Sequence, residues 1–139
     1  MTDQKRSARQ VAGLILCRGV VPLWVLIGAV FKLAEANPAL LPKNTVLSLG
    51  HSLGLNLDIW LASLIGLELL AVSVMVLVAR FARPMAIFML ASFCLILIGE
   101  MIQGASSCGC LGANSPSPGT MLLIDATLLV AVVVLSPGR

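Results

Sequence analysis

The chain has 139 residues, enough for one domain and no more. Hydrophobic residues make up 59% of it and charged residues 11%, with a mean hydropathy of +1.05, which excludes an ordinary water-soluble domain. The net charge of +3 is small, and it reflects where a few lysines and arginines sit rather than a surface built for nucleic acid.

Four stretches approach the roughly 20 apolar residues that an α-helix needs to cross a bilayer. The first covers 10–33; it is too long for a signal-peptide core and has no cleavage site behind it, so it is expected to be retained. The second and third, 57–79 and 84–104, are separated by a short link at 80–83, which predicts a tight antiparallel pair. Pro84 is expected in the first turn of the third helix, where its missing N–H costs nothing. The fourth covers 120–136. Lipid offers no water to satisfy backbone N–H and C=O groups, so each stretch must be a helix. The expectation is all-α: a polytopic membrane four-helix bundle forming a single transmembrane domain over 1–139.

Two loops join these spans. Residues 34–56 carry Pro38 and Pro42 and then Val46, Leu47, Leu49, Leu53 and Leu55, a pattern for a short helix in the interface or on the bundle mouth. Residues 105–119 are rich in serine, glycine and proline and contain Cys108-Gly109-Cys110. No internal repeat is evident, and Ala62 with Gly66 forms a small-xxx-small step that would let helices approach closely.

Charge sets the expected orientation. Lys5, Arg6 and Arg9 precede the first span, Arg80 and Arg83 lie between the second and third, and Arg139 ends the chain. The other side has only Lys32 and Lys43, so the positive-inside rule puts both termini in the cytoplasm and both long loops outside. In a bacterium the loops then face the periplasm or cell exterior, where disulfides persist, and the expected location is the inner membrane, as a multi-pass protein.

Arg18, Lys32, Glu68, Glu100 and Asp125 lie within or at the ends of spans, where ionisable groups are costly and face the bundle interior or a partner. Counted from the cytoplasmic ends at about 1.5 Å per residue, Arg18 is about 12 Å deep and Glu68 about 16 Å, which suggests an Arg18–Glu68 ion pair. Such a pair either fixes helix register or tunes a substrate or proton site. Lys32, with Glu35 one turn away as a local partner, and Asp125 read as solvated near the headgroups. Glu100 lies two turns before Cys108, and solvation competes there with a role in exchanging the proton that thiol chemistry moves.

Thiols two residues apart can bring their Cα atoms into the disulfide window of about 4.4–6.8 Å, and the glycine permits the tight turn. So small a ring is strained and easier to reduce, and it removes little chain entropy, which suits a shuttle better than a staple. Two thiols alone do not complete a tetrahedral metal site, so no metal is assigned, although a soft ion or a partner's ligand would alter that. Cys17 and Cys94, in the first and third spans, read as small buried hydrophobes at similar depth. His51 reads as a surface residue, and Trp24, Phe31 and Trp60 as lipid-facing or interfacial rather than cavity-lining. No Ser-His-Asp set, phosphate-binding glycine loop or hydrolytic carboxylate pair can be assembled from the loops.

Gly28 to Lys32 (GAVFK), Pro38, Gly66-Leu67-Glu68-Leu69 and the arginines at 80 and 83 are similar to the DoxX-like four-helix membrane proteins. The run from Gly104 to Gly112, with Cys108-Gly109-Cys110-Leu111-Gly112, resembles the loop of the MauE branch, named for methylamine utilisation. Leu111 stands where that branch usually has phenylalanine, and Gln103 where it often has arginine. The resemblance implies thiol–disulfide traffic, often with thioredoxin-like partners, and in methylamine users the maturation of a disulfide-rich periplasmic dehydrogenase. In outline the bundle also resembles membrane thiol oxidoreductases of the vitamin K epoxide reductase type, which pass electrons to quinones, an analogy of architecture alone.

The expected function is therefore a membrane thiol–disulfide redox protein. Cys108 and Cys110 would exchange disulfides with a periplasmic thioredoxin-like partner or cysteine-containing client, with Glu100 assisting proton movement. Arg18, Glu68 and Lys32 would organise the bundle or a quinone-sized cavity. Because the chain lacks a second outward cysteine pair, the thiol partner must lie elsewhere. The alternative is a non-enzymatic membrane assembly or maturation factor whose cysteines are structural or metal-binding.

Overall fold

A computed structural model describes residues 10–35, 46, 48–54, 56–105 and 116–135. All regular structure among them is helical: α1 (Gln10–Glu35), the short α2 (Ser48–Ser52), α3 (Leu57–Leu77), α4 (Ala79–Ile102) and α5 (Pro118–Leu135). Four of these, α1, α3, α4 and α5, are long and apolar enough to cross a membrane. Leu77, Leu95 and Leu123 each leave at least 70% of their surface uncovered on the outside of the bundle. Helices that are apolar on every face belong in a lipid bilayer, where such residues find hydrocarbon. The chain is a multi-pass membrane protein.

Local chemistry sets the helix ends. Asn56 caps α3 by accepting from the Asp58 N–H at 3.2 Å, with Asp58 itself in the first, electropositive turn. Ser117 caps α5, its hydroxyl accepting from the Thr120 N–H, and Pro118 occupies the first helical position. At the end of α4 the Gly104 N–H donates to the Met101 carbonyl and the Ala105 N–H to the Glu100 carbonyl at 3.0 Å. That pair of bonds needs a left-handed residue, and Gly104 supplies it at φ 72°.

The link between α3 and α4 is tighter than the charges suggest. Val78 alone turns the chain, and Arg80 and Arg83 are helical residues of α4 rather than loop residues. Pro84 therefore lies inside α4 instead of in its first turn, where it leaves the Arg80 carbonyl without its usual donor. Inside α1, Leu16–Val20 forms a π-helical turn, with the Val21 N–H donating to the Leu16 carbonyl. Pro22 follows directly; it cannot donate to the Arg18 carbonyl and its ring crowds that group, and a widened turn accommodates both.

The four long helices place the α3–α4 corner at one end of the bundle and the connections 36–56 and 103–117 at the other, the loop end. Packing is most extensive between α4 and α5, then between α1 and α3 and between α3 and α4. The π turn of α1 touches α3, α4 and α5 together. A single apolar core accordingly fills the corner half: Cys17, Val21 and Val25 from α1, Ala71 and Met75 from α3, Ala86 and Leu90 from α4, and Val132 from α5. In the loop half the apolar packing splits in two. Leu61 and Ile65 cluster on α3, while Leu97 and Met121 cluster between α4 and α5 with Trp24 beside them. Ala62 and Gly66 face outward, with nothing within 4 Å of a Cβ built on Gly66, so the small-residue step is not a helix contact within the chain.

Candidate functional site

Beside these apolar clusters the bundle buries charged side chains at several depths. Glu68, Glu100 and Asp125 are the buried charged residues of the described chain, one from each of α3, α4 and α5. From α1, Trp24 and Lys32 reach towards them, two turns apart on one side of the helix, with Gly28 between.

The Lys32 Nζ forms a salt bridge and hydrogen bond with Glu68 Oε1, and little of either side chain is exposed. Lys32 is therefore paired across the bundle and is not solvated at the headgroups. A lysine stem can bring its ammonium several ångströms down the helix, towards a carboxylate that α3 holds below the loop end. Glu68 Oε2 is buried and has no hydrogen-bond partner among the described residues.

The Arg18–Glu68 pair does not form. Arg18 instead donates from Nε, at 3.2 Å, and from Nη2 to the carbonyl oxygen of Val76. That carbonyl is in the last turn of α3, where no following helical N–H remains to bond it, so the guanidinium caps the helix from outside and meets the negative end of its dipole. Counting depth from the helix ends misplaced Arg18 because the first two turns of α1 run past the level of the corner. The residues Arg18, Glu68 and Lys32 thus do not converge on one cavity: the first belongs to the corner end and the other two to the loop half.

Asp125 is not solvated either. It is 2% exposed, and its Oδ1 accepts from the Trp24 indole N–H at 2.8 Å. This bond bridges α1 to α5, between helices that otherwise pack sparsely outside the π turn. Trp24 is consequently an internal residue rather than a lipid-facing one. Trp60 donates to the Val46 carbonyl at 2.9 Å, and Gly50 of α2 lies against its ring, which holds the short helix to the mouth of α3. His51 is exposed.

Glu100 is 1% exposed, in the last turn of α4, one turn before the chain leaves the helix through Gly104. Cys94 is buried on the same helix, within electrostatic reach of Asp125. Cys17 belongs to the corner core, which Cys94 does not join, and the two form no disulfide with each other. Cys108 and Cys110 lie outside the described residues, between Ala105 at the end of α4 and residue 116 before α5. No group of three or more His, Cys, Asp or Glu side chains among the described residues is arranged to hold a metal ion.

The loop half therefore holds three carboxyl groups, one ammonium and one indole N–H inside a frame of apolar helices. Such an interior can accept, donate and exchange hydrogen bonds where the surrounding lipid cannot. Sequence reading marks every one of these charged residues, but not their pairing. The signal it passed over was Pro22, which predicts a break in the ladder of α1 beside Arg18. Comparison of the chain with protein-family models, with curated proteins and with solved structures gives no match.

Proposed function

We propose that the protein is a membrane thiol–disulfide redox protein whose loop pair, Cys108 and Cys110, exchanges disulfides with a thioredoxin-like domain or a cysteine-containing client. The observation that carries this reading is Glu100: a carboxyl group buried in the last turn of α4, at the foot of the loop that holds both thiols. The loop-end turns of α4 and α5 also meet, with Leu97 packed on Met121 and Met101 beside Gly119, so the chain leaves α4 and enters α5 over one small area. Its resemblance to the MauE branch of the DoxX-like proteins points the same way, and the lysine and arginine distribution favours an oxidising compartment for the loop end of an inner-membrane protein.

In one exchange a loop thiolate attacks a partner disulfide and expels a partner thiolate, leaving a mixed disulfide. The second loop thiolate resolves it, so the loop pair ends as a disulfide and the partner as a dithiol. Two electrons move from loop to partner, and two protons follow them; the reverse exchange is the same path read backwards. Glu100 is the group nearest in the chain to take or return one of those protons. For repeated oxidation a membrane quinone would supply the two-electron acceptor, and the Lys32 ammonium, which can donate to a quinone oxygen, is the residue that would hold it. Arg18, committed to Val76, would not take part.

The test is a trap. In Cys110→Ser protein a mixed disulfide with the partner domain should accumulate, and in Cys108→Ser/Cys110→Ser exchange should stop. Unchanged exchange in the double variant refutes the proposal, and client binding that survives without either thiol would favour an assembly factor instead.

A further inference from the structure

Glu68 is the one buried acid of the loop half with an oxygen that lacks a partner. It is 6% exposed, and its Oε1 is held by Lys32 while Oε2 stays buried and unbonded among the described residues. A carboxylate oxygen left so in a low-dielectric interior forfeits its hydration, which a hydrogen-bond donor would recover. The ammonium beside it carries three N–H groups, of which the bridge to Oε1 engages one. An acceptor and a donor thus stand side by side on the same ion pair.

The neighbours narrow what fits. An anion would meet the Glu68 carboxylate itself. A bare cation would meet the Lys32 ammonium, and no metal-binding set exists among the described residues. A neutral hydroxyl suits both partners, because its O–H donates while its oxygen accepts.

We infer that the Lys32–Glu68 pair is a binding site for a neutral hydroxyl group, which donates to Glu68 Oε2 and accepts from Lys32 Nζ. Two sources present that chemistry: water entering from the loop end, and the hydroxyl head of an amphiphile dissolved in the bilayer. Neither Lys32 nor Glu68 belongs to an apolar cluster, so no apolar packing among the described residues covers the pair as it does the corner core. The Lys32 side chain, 13% exposed against 8% for Glu68, lies on the approach.

The full chain in lipid nanodiscs supplies the test, read by thermal unfolding with nonylphenol and, as a match without the hydroxyl, nonylbenzene. If an amphiphile is the occupant, the phenol alone should raise the midpoint. In Glu68→Leu it should need about ten-fold or more higher concentration for the same shift, since a hydrogen bond to a charged group has been lost. Glu68→Gln, which keeps a carbonyl acceptor, should retain part of the response if the leucine variant does not fold. Replacing both loop cysteines with serine should leave the phenol response unchanged, which separates this site from the thiol chemistry.

If water is the occupant, neither additive acts. A charged methanethiosulfonate, present on both sides of the membrane, should then modify Gly28→Cys at least about ten-fold faster than Met75→Cys, in protein with all four native cysteines replaced by alanine. Gly28 lies one turn from both Trp24 and Lys32, whereas Met75 is in the corner core. Phenol stabilisation that is equal in wild type and Glu68→Leu, or no phenol effect with Gly28→Cys as slow as Met75→Cys, overturns the inference.

Discussion

Replacing Lys32 by methionine should be far more damaging than replacing both Lys32 and Glu68. Methionine keeps most of the lysine stem's volume, so packing changes little and the effect isolates the charge. In the single variant Glu68 remains buried with both oxygens unpaired among the described residues, since Oε2 already lacks a partner there and Oε1 loses Lys32. Breaking one member of a buried pair costs about 3–5 kcal/mol in soluble proteins. In a bilayer the unfolded reference also lacks water, which lowers such values, so about 2–3 kcal/mol is expected. At 1.4 kcal/mol per decade, that is roughly a 30- to 150-fold shift in the folded-to-unfolded ratio. Lys32→Met/Glu68→Met removes both charges and the desolvation that each requires, and should lie within about 1 kcal/mol of wild type or above it. SDS-titrated unfolding in mixed micelles, followed by circular dichroism, measures all four corners of the cycle. Additive losses, with the double variant worse than either single one, would show that the two residues are not energetically coupled and would refute the reasoning.

Trp24→Phe keeps an aromatic ring but removes the 2.8 Å bond to Asp125, and should cost about 1 kcal/mol in the same assay, with faster amide exchange in the loop-side turns of α1. Arg18→Met strips the cap from Val76 and should speed amide exchange around Val78 several-fold, by roughly 1 kcal/mol of local opening, while Arg18→Lys restores part of the protection. Gly50→Ala would put a methyl group 2.6 Å from Trp60 Cδ1, and overpacking of about 1–3 kcal/mol should be relieved by lifting α2 from α3, seen as a shifted Trp60 indole resonance; an unmoved resonance counts against the contact.

Membrane helices are legible in this sequence because length and apolarity are properties of a single segment. The expected start at Leu57 stands, and Asn56 and Asp58 explain it. Errors gather where a boundary depends on backbone geometry: the corner shrinks to Val78, so α4 begins five residues earlier than the proline and arginines suggest. Pairing between helices was hidden for a different reason. It depends on the vertical offset of one helix against another, and the overhang of α1 beyond the corner moves Arg18 from a predicted mid-membrane partner of Glu68 to the last turn of α3. Solvation was misjudged at Lys32 and Asp125 for the same cause. A position near a helix end predicts contact with headgroups, but Lys32 reaches Glu68 on α3 and Asp125 is met by Trp24 of α1.

That offset also divides the molecule by task. Small and flexible residues of the corner half, Ala71, Ala82 and Ala86 with Met75 and Met89, let four helices close around one apolar core, and the π turn of α1 is the element that contacts all of them. The loop half could have been closed in the same way, since its flanking clusters are equally apolar. It is held instead by two polar links, Lys32 to Glu68 and Trp24 to Asp125, which are costlier to bury than leucine and weaker as glue in lipid. A bundle selected for stability alone would replace them. Two buried polar links in the bundle interior, with Glu100 buried in the last turn of α4, fit a site for polar chemistry better than a purely structural core.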